Sequence, residues 1–332
     1  MDDTLGRRFE RFLTAAEPGR RADVRTCSAI TGGYSRISAR ALVRWEDGVE
    51  ETFILRGDPP TGSGVFVSDR DAEVALLCSL SDAAPVRTPV LRWYDPTGEH
   101  LGSKCMVMVA EADATDLQSV MAQADPVGPW ADLFIDTFAA VHATPLTALP
   151  ASMHRAPDWD SYLDGVLDRY DAMAERFPGS APVLRHVSRW ARRHRPPTVP
   201  LALVHGDCQP SNVLITADAA PLVIDWEFTH IGDPREDLGY YTQNPLQPNA
   251  YWADPVHFLQ RYRTATGLDE DQVNPEVVEY FLIIGMAMLL EQLLDATAAV
   301  GGTPRPGILA TYLINAISHQ YDMFLAICER LS

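Results

Sequence analysis

No disulfide framework is written into this sequence of 332 residues. Its five cysteines (Cys27, Cys78, Cys105, Cys208 and Cys328) are scattered, odd in number and never spaced as C-x-x-C. That pattern argues against a zinc site as well and predicts reduced, mostly packed thiols. Long apolar runs are also missing. The most apolar window, FLIIGMAMLL at Phe281–Leu290, is bracketed by Glu279 and Glu291. It falls well short of the ~20 residues that a membrane-spanning helix needs and reads as a buried helix. The opening MDDTLGRRFERFLTAAEPGRR is mixed and charged from its second residue, without a basic start and apolar run. No secretory signal is expected, and the reading is of a cytoplasmic protein. Nor is there any cationic excess. A formal net charge of −18 speaks against nucleic acid or an anionic membrane as partner, because both require a basic surface. A cationic substrate is permitted by that charge but not implied.

What is present is an ordinary globular composition, 46% hydrophobic, enough to bury one large core or two lobes around a cleft. There is no internal repeat, low-complexity tract or long linker. VRTCSAI and RISARALVRW flank TGGYS, and Ile37, Ala39, Ala41 and Val43 alternate with polar neighbours, the period of a half-buried strand. EDGVE then turns the chain into ETFILR, which predicts a three-strand meander. SDRDAEVALLCSLSDAA follows with Ser68 as the expected N-cap and apolar residues at helical spacing. Two further strands, near PVRTPVLRWYD and SKCMVMVA, complete a small lobe over residues 1–110. Residues 111–332 are mainly helical, interrupted by two short strands. The expected class is α+β and bilobal: a small antiparallel β lobe with one helix, and a larger helical lobe. A cleft at their junction is the expected site.

Those two short strands carry the chemistry. In LVHGDCQPSNVLITADAAPLVIDWE, NVLIT and LVID are separated by ADAAP, which reads as an antiparallel hairpin. If the turn centres between Asp218 and Ala219, Asn212 faces Asp225 with Cβ atoms roughly 4.5 to 5.5 Å apart. A bulge would shift that register by one residue. An amide oxygen and a carboxylate so placed can share Mg²⁺, a hard cation that takes oxygen ligands and retains waters or phosphates. Asp207, five residues before Asn212, stands where an ionised carboxylate can accept a proton from a substrate hydroxyl. The competing structural reading treats all three as turn and cap residues.

HGDCQPSN followed by IDWE resembles the catalytic loop and metal motif of the aminoglycoside phosphotransferase and choline kinase group, small-molecule relatives of the protein kinases. IGDPREDLGYY extends the likeness. The resemblance implies Asp207 as catalytic base, Asn212 and Asp225 as magnesium ligands, and Glu227 near a second metal. It makes Asp233 and Asp237 loop braces, with His142 and His205 packed or bracing. It further implies a glycine turn over the phosphates at Gly32, Gly33 and Ser35. Arg56, where the group generally has Lys, would be paired with Glu73 on the helix that follows. Glu73 shares its stripe with Leu76, Leu77 and Leu80, so an inward carboxylate wants a cation. Met108, Val109 and Ala110 would lie beside the base.

The function implied is a small-molecule kinase that moves the γ-phosphoryl group of ATP, or of GTP, to an alcohol group with Mg²⁺ assistance. The alternatives are a catalytically silent, pseudokinase-like nucleotide-binding module and a metal-dependent phosphatase. The acceptor pocket is expected between Asp116 and Pro200 and after Asn244, where Trp159, Tyr162, Tyr251 and Trp252 either line it or fill core. Neither the acceptor nor an oligomeric state is set by the sequence.

Overall fold

Strand alternation builds the first lobe of the computed structural model, which describes residues 3–30, 37–58, 69–179, 181–242 and 249–285. Ala22–Ala29 (β1), Ile37–Trp45 (β2) and Glu50–Gly57 (β3) form the expected meander. Leu91–Asp95 (β4) and Cys105–Val109 (β5) complete an antiparallel sheet of five strands ordered β1-β2-β3-β5-β4. The two sheet faces have different fates. Ala39, Ala41, Val43, Phe53, Leu55 and Val107 lie under Asp3–Ala16 (α1), packed with its Phe9, Phe12 and Leu13. The lobe therefore holds two helices, not one. The charged neighbours Arg7, Arg8, Glu10 and Arg11 mask the apolar stripe of α1 in a reading tuned to strands.

The other face meets Arg70–Ala83 (α2), capped by Asp69, whose Oδ1 accepts from the N–H groups of Asp71 and Ala72 at 3.0 and 3.2 Å. The cap is thus one residue later than Ser68, which lies outside the described residues. A carboxylate at this position also favours the positive end of the helix dipole. Leu76, Leu77 and Leu80 pack with Met106 and Met108 and with Val141, Leu203, Val223 and Trp226 of the second lobe. One apolar cluster is therefore shared by both lobes.

In the second lobe, Thr115–Asp116 (β6) leads into Leu117–Met121 (α3), and Pro129–His142 (α4), Trp159–Arg176 (α5) and Ala181–Arg193 (α6) follow. Ala202–Val204 (β7), Val213–Ile215 (β8), Pro221–Val223 (β9) and His230–Gly232 (β10) are short. Arg235–Thr242 (α7), Ala250–Ala253 (α8), Pro255–Thr266 (α9) and a helical stretch at 275–285 close the described part. Phe281–Ile284 is buried, as the apolar window predicts, while 286–290 lies outside the described residues. Among the described residues no helix is long and apolar enough to cross a membrane. Among the described residues, Cys27, Cys105 and Cys208 are buried, Cys78 is exposed, and none of them is in a disulfide.

The lobes are also joined behind the cleft. Arg87, between α2 and β4, bridges Leu222 of β9 in parallel, and its carbonyl accepts from the Val223 N–H at 3.0 Å. Its guanidinium reaches Glu111 at 3.0 Å and, at the hairpin turn, Asp218 at 3.2 Å and the Thr216 hydroxyl at 3.0 Å.

The helix α1 is testable as part of the small-lobe core. Phe9 is fully buried and meets Phe53 edge-on, with ring centroids 6.0 Å apart. Phe9→Ala is expected to cost about 3–5 kcal/mol of unfolding free energy, measurable by urea denaturation.

Candidate active site

Asp207 sits on a loop whose backbone is held by one buried carboxylate. Asp237 of α7 accepts from the His205 N–H and the Gly206 N–H, each at 2.9 Å, and from His142 Nε2 at 2.9 Å. His142 Nδ1 lies 2.8 Å from the Tyr262 hydroxyl, so a neutral imidazole donating from Nε2 and accepting at Nδ1 satisfies both neighbours. Burial alone would raise the Asp237 pKa, but the bonds from His142 and the loop backbone outweigh it and hold the group below its ordinary value. His205 accepts from the Asp207 N–H at Nδ1 (3.3 Å) and bonds Ile224 O through Nε2 (3.0 Å). Both histidines therefore brace, as the resemblance implied. Asp233 does the same further on, taking Arg235 Nε at 2.8 Å and Trp159 Nε1 at 2.5 Å.

Gly206 has φ +80, and a Cβ placed on it would lie 2.5 Å from the Phe228 carbonyl oxygen. The conformation and the contact each demand glycine. This is the physical content of Gly at a position where protein kinases carry Arg.

The Asp207 carboxylate is buried and surrounded by donors. Asn212 Nδ2 bonds its Oδ2 at 2.7 Å and its carbonyl at 2.9 Å, while Gln209 Nε2 bonds Oδ1 at 2.9 Å and the Tyr240 hydroxyl donates to the same oxygen. Burial raises its pKa above the ordinary carboxylate value; Asp225 adds to the rise, and the bonds from Tyr240 and Asn212 oppose it.

The hairpin corrects one expectation. Val213 pairs with Val223, Leu214 with Leu222 and Ile215 with Pro221, so Asn212 faces Ile224, whose N–H bonds its carbonyl at 2.9 Å. The reason lies in the turn. Thr216 N–H bonds Ala220 O at 3.2 Å, leaving an odd loop of three residues, and Ala219 takes the left-handed φ of +61 that closes it. Asp225 falls one residue beyond the partner of Asn212 and is itself left-handed, with φ 68 and ψ 58, where the chain leaves the strand. Glu227 follows in the single 3-10 turn Trp226–Phe228.

Arg56 approaches from the small lobe. Its Nη2 bonds Asp225 Oδ1 at 2.7 Å and its Nη1 lies 3.6 Å from Glu73 Oε1. The expected partner is present, yet the shorter bond crosses the cleft. Burial works to lower the Arg56 pKa, but Asp225 and Glu73 overcome this and keep the guanidinium charged. Glu73 is shared: the fully buried Arg70 bonds its Oε2 at 2.9 Å and also holds Asp58 at 3.0 Å. Sequence reasoning missed Arg70, Gln209 and Tyr240. Only Arg70 left a signal, standing three residues before an inward Glu on one helix face.

Gly32, Gly33 and Ser35 lie outside the described residues. Met108 is buried in the cluster between the lobes, whereas Val109 is 38% exposed. The N–H groups of Val109 and Ala110 are used by Val90 O and Thr52 O at 3.0 and 2.9 Å, so neither is left for a base edge.

A family model described as the phosphotransferase enzyme family matches residues 26–275. The chain belongs to this phosphotransferase family. It is 31% identical over 123 residues to acyl-CoA dehydrogenase family member 11 of Gallus gallus and 30% identical over 107 residues to member 10 of Mus musculus. Those matches cover 36% and 31% of the chain but only 15% and 9% of the curated relatives. Among solved structures, an aminoglycoside 2'-phosphotransferase-IIIa complexed with GDP has a TM-score of 0.64 at 15% identity, covering 94% of this chain and 97% of that one. Choline kinase from Streptococcus pneumoniae has a TM-score of 0.63 at 14% identity over 96% and 98%. At such identities these structures establish the fold, the bilobal protein-kinase-like arrangement.

Most of the anticipated pocket aromatics serve as structure. Trp159 is bonded to Asp233, Tyr162 to Glu236 at 2.5 Å, and Tyr251 is buried. Trp252 remains 46% exposed. The cleft donors suit magnesium. Both bonds from Asn212 use its amide nitrogen, which leaves the amide oxygen to serve as a ligand. Among the described residues no group of three His, Cys, Asp or Glu could hold a metal alone. Mg²⁺ needs no such cage, because one or two carboxylates with substrate phosphates and water complete its shell.

Gly206→Ala is expected to destabilise the protein by about 2 kcal/mol or more, combining left-handed strain with a backbone clash. Its melting temperature, against that of the exposed control Gly165→Ala, measures this; no atom within 4 Å meets a Cβ at Gly165.

Proposed function

We propose that the protein is an ATP-dependent small-molecule kinase that transfers a γ-phosphoryl group to a hydroxyl, with Asp207 as base and Mg²⁺ held by Asn212 and Asp225. One observation carries the reading. The bonds Asn212–Asp207 (2.7 Å) and Arg56–Asp225 (2.7 Å) bring two carboxylates, an amide and a guanidinium from both lobes to one cleft, which supports these roles. Family membership and the nucleotide in the GDP-bound neighbour support it. So does a choline kinase structure solved with AMP.

Each residue then has a task. Asp207 orients the acceptor hydroxyl and takes its proton as the oxygen attacks the γ-phosphorus and the bond to the leaving diphosphate breaks. Asn212 keeps the carboxylate turned toward that proton. Asp225 and Asn212, with Glu227 nearby, supply the oxygens for magnesium, whose chemistry is neutralisation of phosphate charge. Arg56 is a planar fork where a Lys would be a point charge. With one nitrogen on Asp225 and another toward Glu73, it keeps its Nε–H and remaining donors for the α and β phosphates. The acceptor belongs to the set of aminoglycosides, choline-like alcohols, macrolides, sugars and hydroxyacyl thioesters. A screen of such compounds for ATP consumption would select among them.

Asp207→Asn is expected to lower transfer at least 100-fold, within the range of lost general-base catalysis, while Mg-ATP still binds. Transfer at wild-type rate would refute the base. Asp225→Ala is expected to make ATP affinity insensitive to Mg²⁺ in titration calorimetry. A retained Mg²⁺ dependence would remove Asp225 from the metal site.

A further inference from the structure

Both carboxylate oxygens of Asp207 are already hydrogen-bonded. Buried Asn212 holds Oδ2 from within, at 2.7 Å. Oδ1 receives Gln209 Nε2 at 2.9 Å and the Tyr240 phenol, both from half-buried side chains. Two donors occupy the two lone-pair directions of that oxygen, so a hydroxyl delivering its proton there has to replace one of them. The two are not equivalent. Gln209 lies two residues from Asp207 on the same loop, whereas Tyr240 comes from α7 and presents an O–H of the same kind as the acceptor's. The phenol stays protonated, since burial and the charge of Asp207 push its pKa well above the ordinary range.

We propose that Tyr240 is a positioning residue that holds the acceptor hydroxyl's place on Asp207 Oδ1 and so keeps water from being phosphorylated when no acceptor is bound. The inference rests on the kinase reading above. The reaction prevented is hydrolysis: a water oxygen attacks the γ-phosphorus, its proton passes to Asp207, the bond to the bridging oxygen breaks, and ADP leaves with the electron pair as inorganic phosphate forms. An acceptor alcohol, held by its own contacts, displaces the phenol; a lone water has no such contacts with which to do so.

Tyr240→Phe removes one oxygen and leaves a ring that can still pack beside the core formed by α4, α7 and α9. In that variant acceptor-free Mg-ATP hydrolysis is expected to rise about 10-fold, part of what an accessible general base supplies. Adding Asp207→Asn should return it to the wild-type level. Tyr240→Leu should show a rise at least as large. Either variant folded, shown by a wild-type melting temperature, and binding Mg-ATP in calorimetry without a rise overturns the proposal, as does a rise that survives Asp207→Asn. A wild-type chain that fails to bind Mg-ATP would instead overturn the kinase reading, and this inference with it.

Discussion

A single buried carboxylate sets the geometry on which the cleft depends. Asp237 binds two consecutive backbone N–H groups, those of His205 and Gly206, and fixes the path of the chain immediately before Asp207. Two backbone amides and the His142 imidazole share the charge of this carboxylate. Such an anchor works only if the backbone can come close. Gly206 provides the approach by accepting a left-handed φ beside Phe228. Helix α7 carries both the anchor, Asp237, and Tyr240, whose phenol bonds Asp207. The loop's backbone and its functional side chain thus answer to the same element.

The second constraint is electrostatic and spans the two lobes. Glu73 would be a costly buried anion by itself; Arg70 and Arg56 offset its charge from two directions. Arg70 also ties Asp58 at the end of β3 to the first turn of α2. Arg56 is left with a nitrogen for Asp225, so one chain of alternating charges runs from the small lobe to the hairpin.

Much of this was legible in the sequence because the site is local. HGDCQPSN ends at Asn212 and IDWE begins at Ile224, on the two arms of one hairpin, and the alternation of β2 and the stripe of α2 are carried by neighbours. The register was not legible. Whether ADAAP closes as an even or an odd loop depends on the left-handed backbone of Ala219, and alanine gives no hint of that conformation. Tyr240 was not legible either, because its bond to Asp207 joins positions 33 apart in the chain that only folding brings together. Helix α1 was hidden for a different reason: its stripe of Phe9, Phe12 and Leu13 sits among arginines that suggest only surface.

Arg87 gives the architecture its mechanical character. The segment between α2 and β4 is stitched to β9 by a backbone bond and to the hairpin turn by its side chain. The strand that delivers Asp225 is therefore a lodger of both lobes. The small lobe thus grips this hairpin twice, at Asp225 through Arg56 and at β9 and the turn through Arg87.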